Sequence, residues 1–445
     1  MRQLFREQLP LTDPVVKHRH AQELDGVDRI LRDNPDMAEL VLQDLQAGVL
    51  VGEGREGMTA EQVLRAAVLK QINTFTYEEL SFHVADSWTY RAFCGLGTFD
   101  DAPGKSTLQR NIKSITEQTW EAINRKLMGY AAECGVENGR KVRIDATVIE
   151  TDIHHPTDSA QLWDSVRVLT RLVAEAHKKY GVVRFPKRTR RAKRRALDVL
   201  NAKGTRQQRR PYRDLLTVTK ETVGYARTAV SSLEQRPDLL GTTALAAELD
   251  HYIVLAEAVI DQTERRVLHG EEVAASDKVF SIFEDHTDII IKDKRDTHFG
   301  HKLTVTGGRS GLILDWVVED GNPADSTLAI RMLERQREIY GRAPRQAALD
   351  GGFASKANLP AAKALGSKDV VFAKKRGLKV PDMAKSLWVY KRLRNFRAGI
   401  EAWISFLKRS FGLDRCNWKG WAGFARYVGT SIVAANLLTL ARRLS

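Results

Sequence analysis

Cysteine is nearly absent. The 445-residue chain has three, Cys94, Cys134 and Cys416. They lie far apart and form no CxxC or zinc-like spacing, which excludes a disulfide framework and a structural zinc site and points to a reducing compartment. Long apolar runs are missing too. The opening residues MRQLFREQLPLTDP hold no apolar core for a signal peptide. No stretch, the apolar tail 427–440 included, reaches the roughly 18–20 uninterrupted apolar residues of a membrane span. The expectation is a cytoplasmic protein with no membrane partner. Internal repeats and low-complexity linkers do not stand out.

What the chain has is positive charge. Lys plus Arg number 70 against 56 Asp plus Glu, a formal net charge of +14. Such a surplus suits a polyanionic partner, and it also suits a merely basic soluble protein. Hydrophobic residues make up 43%, enough for ordinary globular cores. The length favours two or three domains.

Residues 1 to about 135 read as helical. Thr59-Ala-Glu-Gln62 fits a capping box, in which the Thr hydroxyl and the Gln side chain satisfy orphan amides. Leu64, Ala67, Val68 and Ile72 then recur at helical spacing. A second box, Thr76-Tyr-Glu-Glu79, opens a helix with Leu80 and Val84. Asp86 is expected to cap a third that ends near Gly95. Gly97–Gly104 reads as a loop, and Ser106 starts a fourth helix. The intervals suit a helix-turn-helix module and equally a plain helical bundle.

The period then changes. From Val142 to Val148 apolar and polar residues alternate, which is a strand with Asp145 on the polar face. From about 160 to 270 the pattern is helical again, with Leu162, Val166, Leu169, Leu172 and Val173 on one stripe. This segment holds eleven cations between 187 and 210 with one acid, Asp198. Among them are Lys187, Arg188, Arg190, Arg191, Arg194 and Arg195. Pro186, Gly204 and Pro211 are expected to break it into two short helices and turns. A charge run is usually a solvated face; this density favours a phosphate-binding surface, which positions DNA without reading sequence.

Strands are expected at 279–283, 288–291, 302–306 and 312–318, the last two joined by a hairpin around Gly307-Gly308 and Ser310-Gly311. Helices are expected at 326–340, 355–365 and 393–411, with strands at 346–349 and 370–373. This order implies a mixed α/β sheet.

Three acids occupy informative places. Asp145 is mid-strand. Asp350 ends a strand before Gly351-Gly352, where ligand sites of open α/β sheets lie and where glycine permits close backbone approach. Glu401 shares a helix face with Arg394, Arg397 and Lys408. Carboxylates from separate elements suit Mg2+, which takes oxygen ligands and, as a pair, serves phosphodiester chemistry. Each acid also has an ordinary reading: an exposed strand residue, a turn residue, and half of a helix ion pair worth about 0.2–0.5 kcal/mol. Asp152, Asp285, Asp288, Asp315 and Asp325 satisfy looser criteria, so spacing alone does not select the trio.

A resemblance selects it. Ile144-Asp145-Ala-Thr147 with Thr151–Asp158, Phe299-Gly-His-Lys302, Gly311–Leu314, Gly321–Asp325 and Asp350-Gly-Gly-Phe353 resemble segments of DDE transposases of bacterial insertion sequences. Arg397, Glu401 and Lys408 are similar to that family's Tyr, Arg, Glu, Lys signature; Arg394 stands at the Tyr position. The resemblance implies an RNase H-like mixed-sheet core with a helical N-terminal DNA-binding domain and a long basic helical insertion after the first strand. The expected division is 1–135 for the N-terminal domain, 136–159 and 276–445 for the core, and 160–275 for the insertion. It further implies that Asp145, Asp350 and Glu401 are catalytic and hold two divalent ions, Mg2+ or Mn2+. Arg394, Arg397 and Lys408 would hold DNA phosphates. The partners would be double-stranded DNA, both terminal inverted repeats and target, with the protein acting as a homodimer or higher oligomer. A catalytically silent DNA-binding derivative and a non-joining nuclease are the alternatives.

Overall fold

The computed structural model of the protein describes residues 18–48, 57–97, 99–237, 239–292 and 296–445. The parts of the expected N-terminal helical segment at 1–17 and 49–56, and position 98 of the expected loop, lie outside it. Two compact units divide the chain: the described residues of Met1–Glu150 with His301–Ser445, and Thr151–Gly300.

Among the described residues of the first unit, seven helices precede the sheet: α1 (Arg19–Asp33), α2 (Asp36–Gln46), α3 (Ala60–Ile72), α4 (Tyr77–Asp86), α5 (Trp88–Phe93), α6 (Lys105–Ser114) and α7 (Glu117–Glu133). Both capping boxes form: Thr59 and Gln62 start α3, and Thr76 and Glu79 start α4. The cap of α5 is Ser87, whose hydroxyl accepts from the Tyr90 amide at 3.4 Å. Asp86, the residue expected there, is instead the last residue of α4. The helix expected from Ser106 starts at Lys105. α3 is buried nearly all round, so its polar residues are paired inside. Arg65 meets Asp28 and Glu61, and the Gln71 amide donates to Phe411 O at 2.6 Å. Strand β1 (Lys141–Thr151) follows.

The second unit is built on α8 (Asp158–Tyr180), α9 (Thr189–Asn201), α10 (Thr205–Glu234) and α11 (Thr242–Thr263). Leu162, Val166, Leu169, Leu172 and Val173 of α8 are all in its core, against Leu215, Leu249 and Ile253 among others. The two short helices expected in the basic stretch are one short helix and the start of a thirty-residue one, because α10 runs straight through Pro211. Proline there removes one backbone bond at a cost of about 3 kcal/mol. The buried stripe Tyr212, Leu215, Leu216, Thr219, Val223, Ala226, Val230 and Leu233 offsets it. The strand expected at 279–283 does not form. Its amides are taken by side chains: Val279 N donates to Gln262 Oε1 at 2.9 Å and Ile282 N to Gln161 Oε1 at 3.3 Å. β2 (Asp288–Lys292) pairs antiparallel with the first residues of β3 (Asp296–Gly307).

From residue 301 the chain belongs to the first unit again. β3 continues, β4 (Ile313–Val318) pairs antiparallel with it, and α12 (Asp325–Tyr340), β5 (Gln346–Leu349), α13 (Asn358–Ala364), β6 (Asp369–Phe372), α14 (Val380–Met383), α15 (Leu387–Phe411), β7 (Arg415–Cys416) and α16 (Trp421–Leu444) follow. The strand order is β3-β1-β5-β6, with β4 on β3 and β7 on β1. β1, β5 and β6 run parallel, so the sheet is mixed, as expected. α15 begins six residues before the expected Leu393, capped by the Ser386 hydroxyl at 3.2 Å from Val389 N. α16 is long and apolar enough to cross a membrane, but 94% of its apolar window lies inside the fold. Asn436 fixes it there by donating to Asn124 Oδ1 at 2.8 Å and Ile313 O at 2.7 Å.

Candidate active site

The register of β1 and β5 sets Ile144 beside Leu349, and Asp350 N donates to Ile144 O at 3.3 Å. The next residue on β1 is Asp145, so Asp350, just past the end of β5, stands beside Asp145 in the middle of β1. Asp350 then caps a short turn at Gly351–Phe353, its carboxylate accepting from Gly352 N at 3.3 Å. A side chain at position 352 would collide with the Asp325 carboxylate. Asp325 itself is held by Lys302 Nζ at 3.0 Å, which also donates to Pro323 O at 2.6 Å.

α15 lies over the polar face of β1. Arg143, two residues before Asp145 and therefore on the same face, donates through Nη1 to Phe396 O at 3.1 Å. The Phe396 ring stacks on its guanidinium, 4.8 Å from the centroid. Gly399 permits this approach, because a Cβ there would strike Arg143 Nη1. The alternation that marked Asp145 as a polar-face residue thus does not leave it exposed; the helix covers that face and Asp145 is buried.

With α15 so placed, one guanidinium collects three carboxylates. Arg397 Nη2 lies 2.9 Å from Asp145 Oδ2 and 2.7 Å from Asp350 Oδ1, and Nη1 lies 2.8 Å from Glu401 Oε1. Asp145 Oδ1 accepts from Ala146 N at 2.8 Å. Side-chain exposure rises outward, from 12% at Asp145 to 33% at Asp350 and 64% at Glu401. The cluster is therefore closed at its floor and open to solvent at Glu401. Burial pushes the Asp145 carboxyl up to about 6; Arg397 opposes that shift and Asp350 adds to it. With all three acids ionised, the cluster is doubly negative even after Arg397 is counted. Arg397 Nε is buried and finds no hydrogen-bond partner among the described residues.

The remaining expected site residues lie elsewhere. Lys408 pairs with Asp414 at 3.3 Å, and Arg394 is exposed on α15. In the basic stretch, Arg188 pairs with Glu221 at 2.9 Å, Arg191 and Arg195 pair with Asp214, and Arg195 also reaches Asp198. Lys187, Arg190 and Arg194 are exposed. Asp315, one of the competing acids, is taken by Arg335, whose Nη2 donates to Oδ1 at 2.7 Å. Sequence reasoning missed Arg143, and it named Lys302 and Asp325 without pairing them. Arg143 was marked by its place two residues before Asp145; nothing in the spacing marked the pair. Among the described residues no group of three His, Cys, Asp or Glu side chains converges as a ready metal cage; here the Arg397 guanidinium stands among the carboxylates.

No curated protein and no solved structure gives a significant match to the chain. Two family models do match: a transposase DDE domain over residues 259–437 and a transposase domain over residues 14–114. The chain belongs to the DDE transposases of the insertion-sequence type.

Proposed function

We propose that this protein cuts phosphodiester bonds at the ends of an insertion sequence and joins the freed ends to target DNA, using Asp145, Asp350 and Glu401 as its catalytic carboxylates. The observation that carries the reading is their meeting on one guanidinium, from β1, the end of β5 and α15. The mixed sheet is taken as an RNase H-like core, divided as 136–159 and 276–445. Residues 1–135 form a DNA-binding domain, and 160–275 a basic insertion. Parallel pairing of β1, β5 and β6 supports that core.

DDE transposases generally use divalent metal ions. The donors present fit Mg2+ or Mn2+: every one is a carboxylate oxygen, the donor class such hard cations prefer. The double negative charge of the ionised cluster also favours a cation. Two bound ions would activate the attacking oxygen and stabilise the leaving one. Asp145 and Asp350, fixed by the sheet, would hold them from below, and Glu401 from the solvent side. Arg397 would donate to the phosphate oxygens of the scissile strand through a fork suited to them. Arg394 and Lys408, farther along α15, would hold neighbouring phosphates. Water attacks the phosphorus at the element's end and the bond to the 3′ oxygen breaks; the resulting 3′-hydroxyl then attacks a phosphorus of target DNA in the same site, and the target's own 3′ oxygen leaves from that phosphorus and takes up a proton. Pairing two ends calls for a homodimer or larger assembly on double-stranded DNA.

Asp145→Asn, Asp350→Asn and Glu401→Gln test the roles. Each should abolish cleavage of terminal-repeat DNA while leaving its binding within a few-fold of the parent. Loss of binding in all three would contradict the assignment.

A further inference from the structure

One cleft of about 700 Å3 in the first unit is lined by Arg140, Lys141, Arg309, Arg345, Arg392 and Arg443. These cations come from the start of β1, the β3–β4 turn, the residue before β5, and helices α15 and α16. None of the six forms an ion pair with a described residue. The acid in the lining, Glu137, is buried and fully engaged. Its Oε1 accepts from the amides of Asn138 (2.9 Å) and Gly139 (3.0 Å), and its Oε2 from Ser310 N (2.9 Å) and Oγ (2.7 Å). Burial, together with the charges of Arg392, Arg309 and Arg143, holds the Lys141 ammonium below its usual range. The cluster is thus positively charged and uncompensated, a condition an anion relieves.

We propose that this cleft is a second DNA contact, gripping the phosphate backbone within a few nucleotides of the bond that is cut. The inference rests on the DNA-binding part of the reading above. Two rulers give the spacing. Lys141 precedes Asp145 by four strand positions, about 13 Å at ~3.3 Å per residue. Arg392 precedes Glu401 by nine helical positions, also about 13 Å at ~1.5 Å per residue. Phosphates of one DNA strand wind around the axis as they advance about 3.4 Å along it, so 13 Å spans only a few nucleotides. Cations contributed by five chain segments suit a row of phosphates better than a single small anion.

The test uses the full-length protein, terminal-repeat DNA, and Ca2+ in place of Mg2+, so that binding is read without cleavage. Arg309 and Arg345 are exposed, and the double substitution Arg309→Gln/Arg345→Gln leaves the core untouched. It should reduce the slope of log affinity against log salt by about two, and it should erase phosphate-ethylation interference at a discrete position within a few nucleotides of the repeat boundary. Arg309→Lys/Arg345→Lys should keep both, since charge alone is needed. An unchanged slope and interference pattern would overturn the proposal. So would loss of tripolyphosphate binding with the DNA pattern intact, which would make the cleft a site for a free anion. Because the readout is binding, a protein that shows the predicted changes yet never cuts would keep this groove and sink the catalytic reading.

Discussion

One nitrogen of Arg397, Nη2, donates to Asp145 and stands 2.7 Å from Asp350 Oδ1. Its charge opposes the upward push of burial on the Asp145 carboxyl. Replacing Arg397 with Ala removes that opposition, so Asp145 should hold its proton to higher pH. The expected result is an upward move in the pH midpoint of Mn2+ binding, followed by calorimetry between pH 5 and 8. An unmoved midpoint would show that the guanidinium does not govern the Asp145 charge.

The same carboxyl couples stability to pH. Its folded value of about 6 lies above the ordinary 3.8, so the folded state binds the proton more tightly than the unfolded one. The resulting stabilisation is fully present below about pH 4 and is lost as pH rises through 6. The size is about 2–3 kcal/mol at most. Asp145→Asn, which carries no charge to bury, should therefore melt at least as high as the parent at pH 7.5 without metal, and lose that advantage at pH 4. A variant much less stable at pH 7.5 would contradict the burial argument.

Metal should reverse the pH trend. Saturating Mg2+ stabilises only the folded state, and the proton on Asp145 competes with it. The Mg2+-induced rise in Tm should be large at pH 7.5 and small at pH 5. A rise of equal size at both would place the metal elsewhere.

Gly399 lets α15 rest on Arg143. Gly399→Ala forces a methyl group against that guanidinium, and overpacking of this kind costs about 1–3 kcal/mol. Because Arg397 and Glu401 ride on the same helix, cleavage should fall at least tenfold while the protein still folds, read by Tm and a nicking assay side by side. Full activity would mean that the helix position is not critical.

In the basic stretch, Arg188, Arg191 and Arg195 are committed to acids of the same helical unit. Lys187, Arg190, Lys193 and Arg194 are exposed. Neutralising those four should flatten the salt dependence of DNA binding with little change in Tm. Neutralising Arg191 and Arg195 should lower Tm, because Asp214 is left without partners. An unchanged salt slope in the first variant would mean that those four charges face solvent without touching DNA.

Much of this was legible in the residues. Hydroxyl caps with a Gln or Glu three residues on marked α3 and α4, and strict alternation marked β1. Glycine after Asp350 marked the end of β5. What failed had local causes. Pro211 was outvoted by a long buried stripe, and the strand expected at 279–283 lost its amides to Gln161, Gln262 and Ser281. Asp86 yielded its cap to the next residue. The meeting of Asp145, Asp350 and Glu401 was not readable from spacing, since it depends on strand register and on α15 lying against Arg143. The resemblance to a family chose those acids, and the geometry brings them onto Arg397.

The most direct test is to incubate purified protein with the inverted-repeat DNA flanking its own gene, with Mg2+ or Mn2+, and map the products at nucleotide resolution. The account predicts metal-dependent nicks at the repeat boundary that leave 3′-hydroxyl ends, followed by joined products, with none from Asp145→Asn. Binding without any cleavage by the folded parent protein would contradict it.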